Sequence, residues 1–267
     1  MENLELGNVE MKGGAEKPEK VEKKERFRTP LSIAVFILIF LTQIFAGKAG
    51  HFIGHSVPYQ SIDPYDCFIE ISIHHAVMLF IALILILALR KILKVDFYLG
   101  LGDKKSGVKY LAIYTASFFV ITIVLHTFMA LKNQLPSYAF PLDVRNVIGR
   151  LGFQLLLTGP AEELLYRALP VTLLVYAFGK SIKVKDSVTL EVILASLVFA
   201  FAHVNKWSLV PFTFEADYFQ LIYAFVLGTI QGVVYQKTKS IVYPMLMHSF
   251  SNVLMVGGGF LFTALFG

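Results

Sequence analysis

Residues 147–178 read VIGRLGFQLLLTGPAEELLYRALPVTLLVYAF. This stretch is long and apolar enough to cross a membrane as a helix, because about 20 apolar residues span a bilayer. At its centre lie three charged side chains, Glu162, Glu163 and Arg167. Charged groups at membrane depth are costly unless they are paired or hydrated, so they indicate a functional site. The stretch therefore predicts a helical membrane protein with polar chemistry inside one of its spans.

Composition extends this prediction to the whole chain. Of the 267 residues, 56% are hydrophobic and only 16% are charged, and the mean hydropathy is +0.65. A soluble domain has about 45–50% apolar and about 25% charged residues. The alternating pattern of membrane-barrel strands is not visible in the sequence. We therefore predict an all-α fold, a polytopic transmembrane helical bundle.

The apolar segments indicate seven or eight membrane segments. Pro160 and Pro170 are expected to break or tilt the long fourth segment. An eighth segment arises if the chain turns back after the three consecutive glycines at 257–259. The candidate segments are 30–48, 69–93, 109–131, 147–178, 189–204, 218–236 and 240–266.

The charge pattern divides the chain into two parts. Residues 1–28 are polar and alternate lysine with glutamate, so we expect a disordered cytoplasmic tail. Residues 29–267 are predicted to form a single transmembrane domain. The tail carries seven Lys and Arg residues, the 90–109 loop carries six, and the 48–68 loop carries only Lys48. Because positive loops stay inside, the amino terminus is predicted to be cytoplasmic.

Two functional classes are disfavoured by the same composition. The net charge of +5 is explained by cytoplasmic loops, and no basic–aromatic motif is present, so a nucleic-acid partner is not expected. The single cysteine, Cys67, excludes an internal disulfide and a cysteine-based zinc site.

Helical spacing separates the roles of the charged residues at 162–167. Glu163 and Arg167 are four residues apart in the order that favours an ion pair on one face. Glu162 points about 100° away from Glu163, since a helix has 3.6 residues per turn. An ion pair would thus leave Glu162 to face a cavity, where a carboxylate can act as general base toward water.

Two further polar pairs follow on separate apolar segments. His203 lies one turn after Phe199, and His248 lies one turn before Asn252. Histidine and asparagine are suitable donors to an oxyanion. Alternatively, Glu162, His203 and His248 could hold a zinc ion whose bound water becomes the nucleophile. Purely structural roles are the alternative to both interpretations. The charged residues at 162–167 could form a charge network between helices, and the two polar pairs could be contacts that join membrane helices.

The remaining histidines carry weaker signals. His51 and His55 have the i,i+4 spacing of a metal pair, but no glutamate accompanies them in the HExxH position, so a loop or interfacial role is favoured. Segments 51–66 and 205–217 are predicted to be amphipathic or irregular. His74 and His75 are adjacent and neither is assigned a role. His126, on an apolar segment, is interpreted as a packing residue.

The ordered motifs resemble a known family. Glu-Glu-x-x-x-Arg at 162–167, Phe-x-x-x-His at 199–203 and His-x-x-x-Asn at 248–252 are similar to those of the CPBP family of CAAX proteases and bacteriocin-processing enzymes. The resemblance is strongest to the type II CAAX prenyl endopeptidase branch, and it covers 145–255. It implies an intramembrane endopeptidase with a peptide or prenylated protein as substrate. The expected cut releases the carboxyl-terminal tripeptide of prenylated CaaX-type substrates.

The resemblance also implies roles for single residues. Glu162 activates water and His203 supports that water. The pair His248 and Asn252 stabilises the oxyanion. A positioning role is implied for Glu163 and Arg167, while Phe199 is interpreted as a wall beside His203. A metal-free glutamate mechanism is implied, so no cofactor is expected.

Two other functions remain open at this point. One is a protease of the same family that processes a secreted peptide or confers bacteriocin immunity. The other is a non-enzymatic proton- or cation-coupled transporter that uses the buried carboxylates. The absence of an internal repeat in the sequence disfavours the transporter.

Overall fold

The computed structural model describes residues 29–267, so the prediction for the tail at 1–28 lies outside the described residues. Helices dominate, as predicted. They are α1 (Thr29–Ser56), α2 (Ile69–Leu93), α3 (Lys104–Leu131), α4 (Val144–Phe153), α5 (Gly159–Glu163), α6 (Leu169–Phe178), α7 (Leu190–Phe201), α8 (Tyr218–Thr238) and α9 (Val242–Phe266).

Five of these helices, α1, α2, α3, α8 and α9, are long and apolar enough to cross a membrane. Many of their large apolar side chains are exposed, such as Leu38, Phe80 and Val124. In a bilayer such side chains face lipid rather than water. The chain is therefore an integral, multi-pass membrane protein, and the prediction of a helical membrane bundle is confirmed at this level.

Two short antiparallel hairpins are inserted between the helices. Strands β1 (Lys183–Lys185) and β2 (Val188–Thr189) precede α7, and strands β3 (Lys206–Leu209) and β4 (Phe212–Glu215) follow it. The second hairpin occupies most of the 205–217 segment, which was predicted to be amphipathic or irregular. Trp207 packs there against Phe201 at the end of α7, with ring centres 5.4 Å apart.

Pro160 and Pro170 were predicted to break or tilt the fourth segment, and they do not break it. The chain is helical without interruption from α4 through α6, but two five-residue π-helical turns, Gln154–Thr158 and Leu164–Ala168, join the α-helical pieces. Each π turn ends two residues before a proline. A proline removes one backbone donor and crowds the carbonyl one turn earlier, and a wider turn relieves that crowding.

Two other boundaries differ from the prediction. Helix α1 continues to Ser56, so residues 51–56 are regular helix and their side chains follow helical spacing. Helix α9 continues through the glycines at 257–259 to Phe266, so the described chain has no turn-back and no eighth helix after these glycines. The glycines serve close packing instead, since a Cβ at Gly258 would lie 2.4 Å from Thr122.

The loop between α1 and α2 is organised by the buried carboxylate of Asp63. Its two oxygens accept hydrogen bonds from the backbone N–H groups of Cys67, Phe68 and Ile69 at 2.7–3.0 Å. Burial opposes ionisation of this carboxyl group, but the three backbone donors outweigh it and hold the pKa of Asp63 below its usual value. Asp63 thereby fixes the start of α2.

The opposite end of the bundle is held by contacts between two loops. Asp103 N donates to the carbonyl of Thr238 at 2.8 Å, and Ile241 N donates to the carbonyl of Tyr98 at 2.9 Å. The α2–α3 loop and the α8–α9 turn therefore lie on the same side of the bundle.

The segment from α5 to α6 forms the centre of the bundle. Every residue from Leu164 to Val171 is buried, including the charged Arg167. Helices α2 and α9 pack against α5, while α7 and α8 pack against the second π turn. Gly159 permits the α5–α9 contact, since a Cβ there would lie 2.3 Å from the carbonyl oxygen of Met245.

Candidate active site

Glu163 and Arg167 form the ion pair that their spacing predicts. Arg167 Nε lies 3.3 Å from Glu163 Oε2, and both side chains are fully buried. Arg167 Nη2 donates to Oε1 of Gln231 on α8 at 3.0 Å. The guanidinium carbon lies 3.8 Å from the ring centre of Phe199 on α7, a cation–π contact. The pair therefore ties the second π turn to α7 and α8.

His248 brings α9 into contact with both glutamates. Its Nδ1 lies 2.8 Å from Glu163 Oε1, and its Nε2 lies 3.6 Å from Glu162 Oε2. The two carboxylates thus face opposite nitrogens of one ring. Because Glu163 is fully buried and also bound by Arg167, it is a fixed partner that orients the ring and directs Nε2 toward Glu162.

Glu162 has a second histidine partner, which sequence reasoning left unassigned. His75 Nε2 lies 3.0 Å from Glu162 Oε1, and His75 Nδ1 lies 2.9 Å from the carbonyl oxygen of Ile71. A carbonyl oxygen only accepts, so Nδ1 is the donor in that contact, and the other ring nitrogen faces the Glu162 carboxylate. Glu162 is free of Arg167, as predicted, but it is held between two histidines from different helices.

His203 lies at the end of α7 with its ring fixed by Phe199. Its Nδ1 lies 2.9 Å from the Phe199 carbonyl oxygen, and the two rings are 4.7 Å apart. Nδ1 is therefore the protonated nitrogen, which leaves Nε2 as the acceptor of a neutral ring. Such a nitrogen can accept a hydrogen bond from water.

Asn252, one turn after His248, has its amide oriented by Gln154. Asn252 Nδ2 donates to Gln154 Oε1 at 2.9 Å. The same oxygen accepts from the Thr158 hydroxyl at 3.1 Å. Gln154 and Thr158 begin and end the first π turn, so that turn positions the asparagine.

A small cavity of about 130 Å³ brings the predicted residues together. A larger cavity of about 690 Å³ shares part of this lining and continues past His75 to His74 and His51. The buried pair Glu163–Arg167 supports the lining from behind. The predicted residues that line the small cavity are Glu162, Phe199, His203, His248 and Asn252.

Comparison with protein-family models places this site in a known family. Residues 145–254 match the family described as type II CAAX prenyl endopeptidase Rce1-like. This segment is therefore similar to the Rce1-like family. The match confirms the resemblance drawn from the motifs, and the family is one of CAAX-type intramembrane proteases. Searches of the curated proteins and of the solved structures find no match.

The alternative metal set, Glu162, His203 and His248, can be compared with the distances in a zinc site. Zinc ligands lie about 2.0–2.3 Å from the ion, so their donor atoms lie within a few ångströms of one another. Within residues 29–267, a trio with donor atoms mutually within 4.8 Å is found at His51, His55 and Glu70, not at Glu162, His203 and His248.

An apolar groove of about 800 Å³ adjoins the Rce1-like site between α3, α8 and α9. Its wall is dominated by side chains such as Phe118, Leu227 and Met247, and it reaches Asn252 and Gln154 at its polar end. A lipid-like chain in this groove would thus end beside the polar cavity.

His75 and Gln154 are the site residues that sequence reasoning missed. A histidine in the apolar run of α2 was a visible signal for His75. Its contact with Glu162 could not be predicted, because α2 lies outside the matched 145–254 segment and no sequence spacing relates the two residues. His126, by contrast, contacts the Thr122 carbonyl at 2.8 Å and the Phe262 ring, which confirms its packing role.

Proposed function

We propose that this protein is an intramembrane endopeptidase that uses Glu162 to activate water. The observation that carries the proposal is the Glu162 carboxylate held between His75 Nε2 and His248 Nε2 in the lining of a polar cavity. The Glu162 side chain is only 15% exposed, and the histidines orient its carboxylate. A general base must be held in this way to accept a proton from a single water.

In the proposed reaction, Glu162 takes one proton from water as the water oxygen bonds to the peptide carbonyl carbon. His203 accepts a hydrogen bond from the same water through Nε2. Collapse of the tetrahedral intermediate then breaks the C–N bond, and the proton held by Glu162 passes to the leaving nitrogen. The immediate products are a carboxylic acid and an amine, which exchange a proton to give a carboxylate and an ammonium group.

His248 and Asn252 are proposed to stabilise the oxyanion. A carboxylate on Nδ1, here that of Glu163, favours a charged ring whose Nε2 also donates. The Asn252 amide is preset by Gln154. Donors held in place before the reaction stabilise developing charge without reorganisation. No cofactor is needed for these steps. Zinc at Glu162, His203 and His248 remains the alternative.

The proposed substrate is the carboxyl-terminal tripeptide of a prenylated CaaX-type protein. Its support is the 800 Å³ apolar groove, whose lining includes Asn252 of the proposed site. The prenyl chain would lie along Phe118 and Leu227, and the peptide bond would enter the polar cavity. The partners are thus the bilayer and a lipidated peptide.

A second candidate, processing of a secreted peptide, is supported by the direction in which the site opens. We propose seven membrane segments and a cytoplasmic amino terminus, since the Lys-rich α2–α3 loop and α8–α9 turn lie on one side of the bundle. The 690 Å³ cavity is lined by His51, His75 and Trp207, which lie near the opposite end. This cavity would then open away from the cytoplasm.

The test compares purified wild type with Glu162→Gln and His248→Ala on a prenylated CaaX peptide and on the same peptide without the lipid. Loss of cleavage in both variants, with unchanged folding by circular dichroism, supports the endopeptidase. Glu215→Gln, which alters an exposed glutamate of β4, serves as the control. Full cleavage by both site variants would refute the assignment. Proton flux that Glu162→Gln blocks, without any cleavage, would identify the transporter.

The two substrate classes are separated by lipid dependence and by topology. Faster cleavage of the prenylated peptide supports the CaaX substrate. Topology can be measured by labelling single cysteines in a Cys67→Ser background. Glu215→Cys would report the side of the membrane on which the cavity opens, and Lys105→Cys would report the opposite side. If position 215 is labelled from outside intact cells, and the peptides with and without the lipid are cleaved equally fast, the secreted-peptide substrate is supported.

A further inference from the structure

A cluster of two histidines and one glutamate lies outside the proposed catalytic residues. His51 and His55 are one turn apart near the end of α1, and Glu70 lies in the first turn of α2. In the sequence, the i,i+4 spacing of these histidines suggested a metal pair, but no glutamate stood in the position that such a motif requires. Since α1 continues to Ser56, both histidines are on one helical face, and α2 supplies the missing carboxylate.

The donor atoms of this cluster have the separations of a coordination sphere. His51 Nδ1 and His55 Nδ1 each lie 3.2 Å from Glu70 Oε1, and all three donor atoms are within 4.8 Å of one another. Two ligands about 2.05 Å from a tetrahedral ion lie roughly 3.3 Å apart. An ion therefore fits between these atoms with small side-chain movements.

Two glycines bring the helices close enough for this geometry. A Cβ at Gly54 would lie 2.8 Å from Glu70 Oε1, and a Cβ at Gly50 would lie 2.8 Å from the carbonyl oxygen of His74. A larger residue at either position would push α2 away from α1. The carboxylate is thereby held against the histidine-bearing face of α1.

Charge and exposure also suit a cation. Among the described residues, Glu70 pairs with these two histidines and with no lysine or arginine. The histidine side chains are 59% and 70% exposed, whereas that of Glu70 is 11% exposed. An ion can thus reach the site from the loop side of the bundle and meet an uncompensated, nearly buried carboxylate.

We propose that His51, His55 and Glu70 form a binding site for a divalent transition-metal ion of the class that prefers imidazole, with Zn²⁺ as its representative. Both histidines coordinate through Nδ1, and the fourth position is open to water. On binding, His55 gives up its 2.9 Å contact with the His51 carbonyl. His51 lines the same 690 Å³ cavity as Glu162, but the proposed ligands do not include Glu162, and the proposal does not depend on the proposed peptidase activity.

The experiment uses purified full-length protein from which the affinity tag has been removed and metal stripped with a chelator. Co²⁺ is titrated while the visible d–d absorption is recorded, and bound Zn²⁺ is quantified by elemental analysis. We expect one equivalent of either metal and a rise in Tm with added Zn²⁺, since a ligand of the native state stabilises it. Each of His55→Ala and Glu70→Gln is expected to weaken binding by about 100-fold or more.

Two control variants locate the bound metal. His126→Gln alters a histidine that is bonded to its own helix, and His248→Ala alters the proposed catalytic site. Both are expected to keep one equivalent of metal. Retained binding in His55→Ala, loss of binding in His248→Ala, or no bound equivalent in wild type would each overturn the proposal. His55 is exposed, so its replacement does not threaten the fold.

Discussion

His75 Nε2 and Glu162 Oε1 lie 3.0 Å apart, although 87 residues separate them in the chain. The contact joins α2, which lies outside the Rce1-like segment, to the carboxylate proposed to activate water. Helix α2 is held at its start by Asp63 and against α1 by Gly50. The amino-terminal part of the bundle therefore takes part in the geometry of the site.

We expect His75→Ala to lower kcat for peptide cleavage by about 10- to 100-fold, with a smaller change in KM. The physical reason is that Glu162 loses the donor that orients it, while the substrate cavity keeps its other walls. Steady-state kinetics measure both constants. His75→Gln retains a neutral donor and should recover part of kcat. Equal activity of His75→Ala and wild type would show that the contact is structural only.

The buried ion pair Glu163–Arg167 is expected to stabilise the fold. Either Glu163→Gln or Arg167→Met leaves a buried charge without its partner, which costs about 3–5 kcal/mol in the free energy of unfolding. The double variant should lose less than the sum of the two single losses. Unfolding in detergent measures the cycle. The exposed pair Lys206–Glu215 is the control, and its removal should change stability by less than about 1 kcal/mol.

Gly159→Ala is expected to impair cleavage and stability together. Its Cβ would lie 2.3 Å from the Met245 carbonyl oxygen, so α9 and His248 must move away from Glu162. Gly152→Ala is a matched control in the preceding helix, because nothing lies within 4 Å of its added Cβ. That variant should be neutral or slightly more stable, since alanine favours helix by about 1 kcal/mol. Equal behaviour of the two variants would contradict the close contact.

Asp63 should make stability depend on acidity. The backbone N–H groups that bind its carboxylate hold its pKa below the usual value of 3.8. Its contribution is therefore complete above about pH 4 and is lost as pH falls through the lowered pKa. We expect Asp63→Asn to destabilise the protein by about 1–3 kcal/mol at neutral pH, because one buried acceptor is replaced by a donor.

The measurement for Asp63 is the stability difference between wild type and Asp63→Asn at several pH values. The difference should narrow below about pH 4. Asp143→Asn is the control, since Asp143 caps α4 through the Asn146 N–H and asparagine caps equally well. A gap that stays constant down to acidic pH would mean that the carboxylate charge is not what stabilises the loop.

Cleavage is expected to survive metal removal. In the proposed mechanism Glu162 activates water directly, so chelator-treated enzyme should retain its kcat. An ion bound at His51, His55 and Glu70 could affect this measurement indirectly, so the same assay is made with metal-stripped His55→Ala. Its activity should also be retained. Activity that disappears with the metal and returns with Zn²⁺ in His55→Ala would favour the zinc alternative at Glu162, His203 and His248.

The sequence by itself determined the helical class, the positions of the apolar segments and the Glu163–Arg167 pair. These features depend on local period and composition: a run of apolar residues predicts a span, and four residues make one helical turn. The motifs also indicated the candidate site residues, because the side chains at 162, 203, 248 and 252 are unusual in apolar surroundings.

Only the tertiary structure decided how those residues meet. His75 contacts Glu162, and Glu70 contacts His51 and His55, because helices distant in sequence pack side by side. The prolines do not break the central helix, since π turns absorb their crowding. Periodicity describes one helix face at a time. The choice of which faces meet depends on close packing at positions such as Gly159 and Gly50, where the absence of a side chain lets two helices approach.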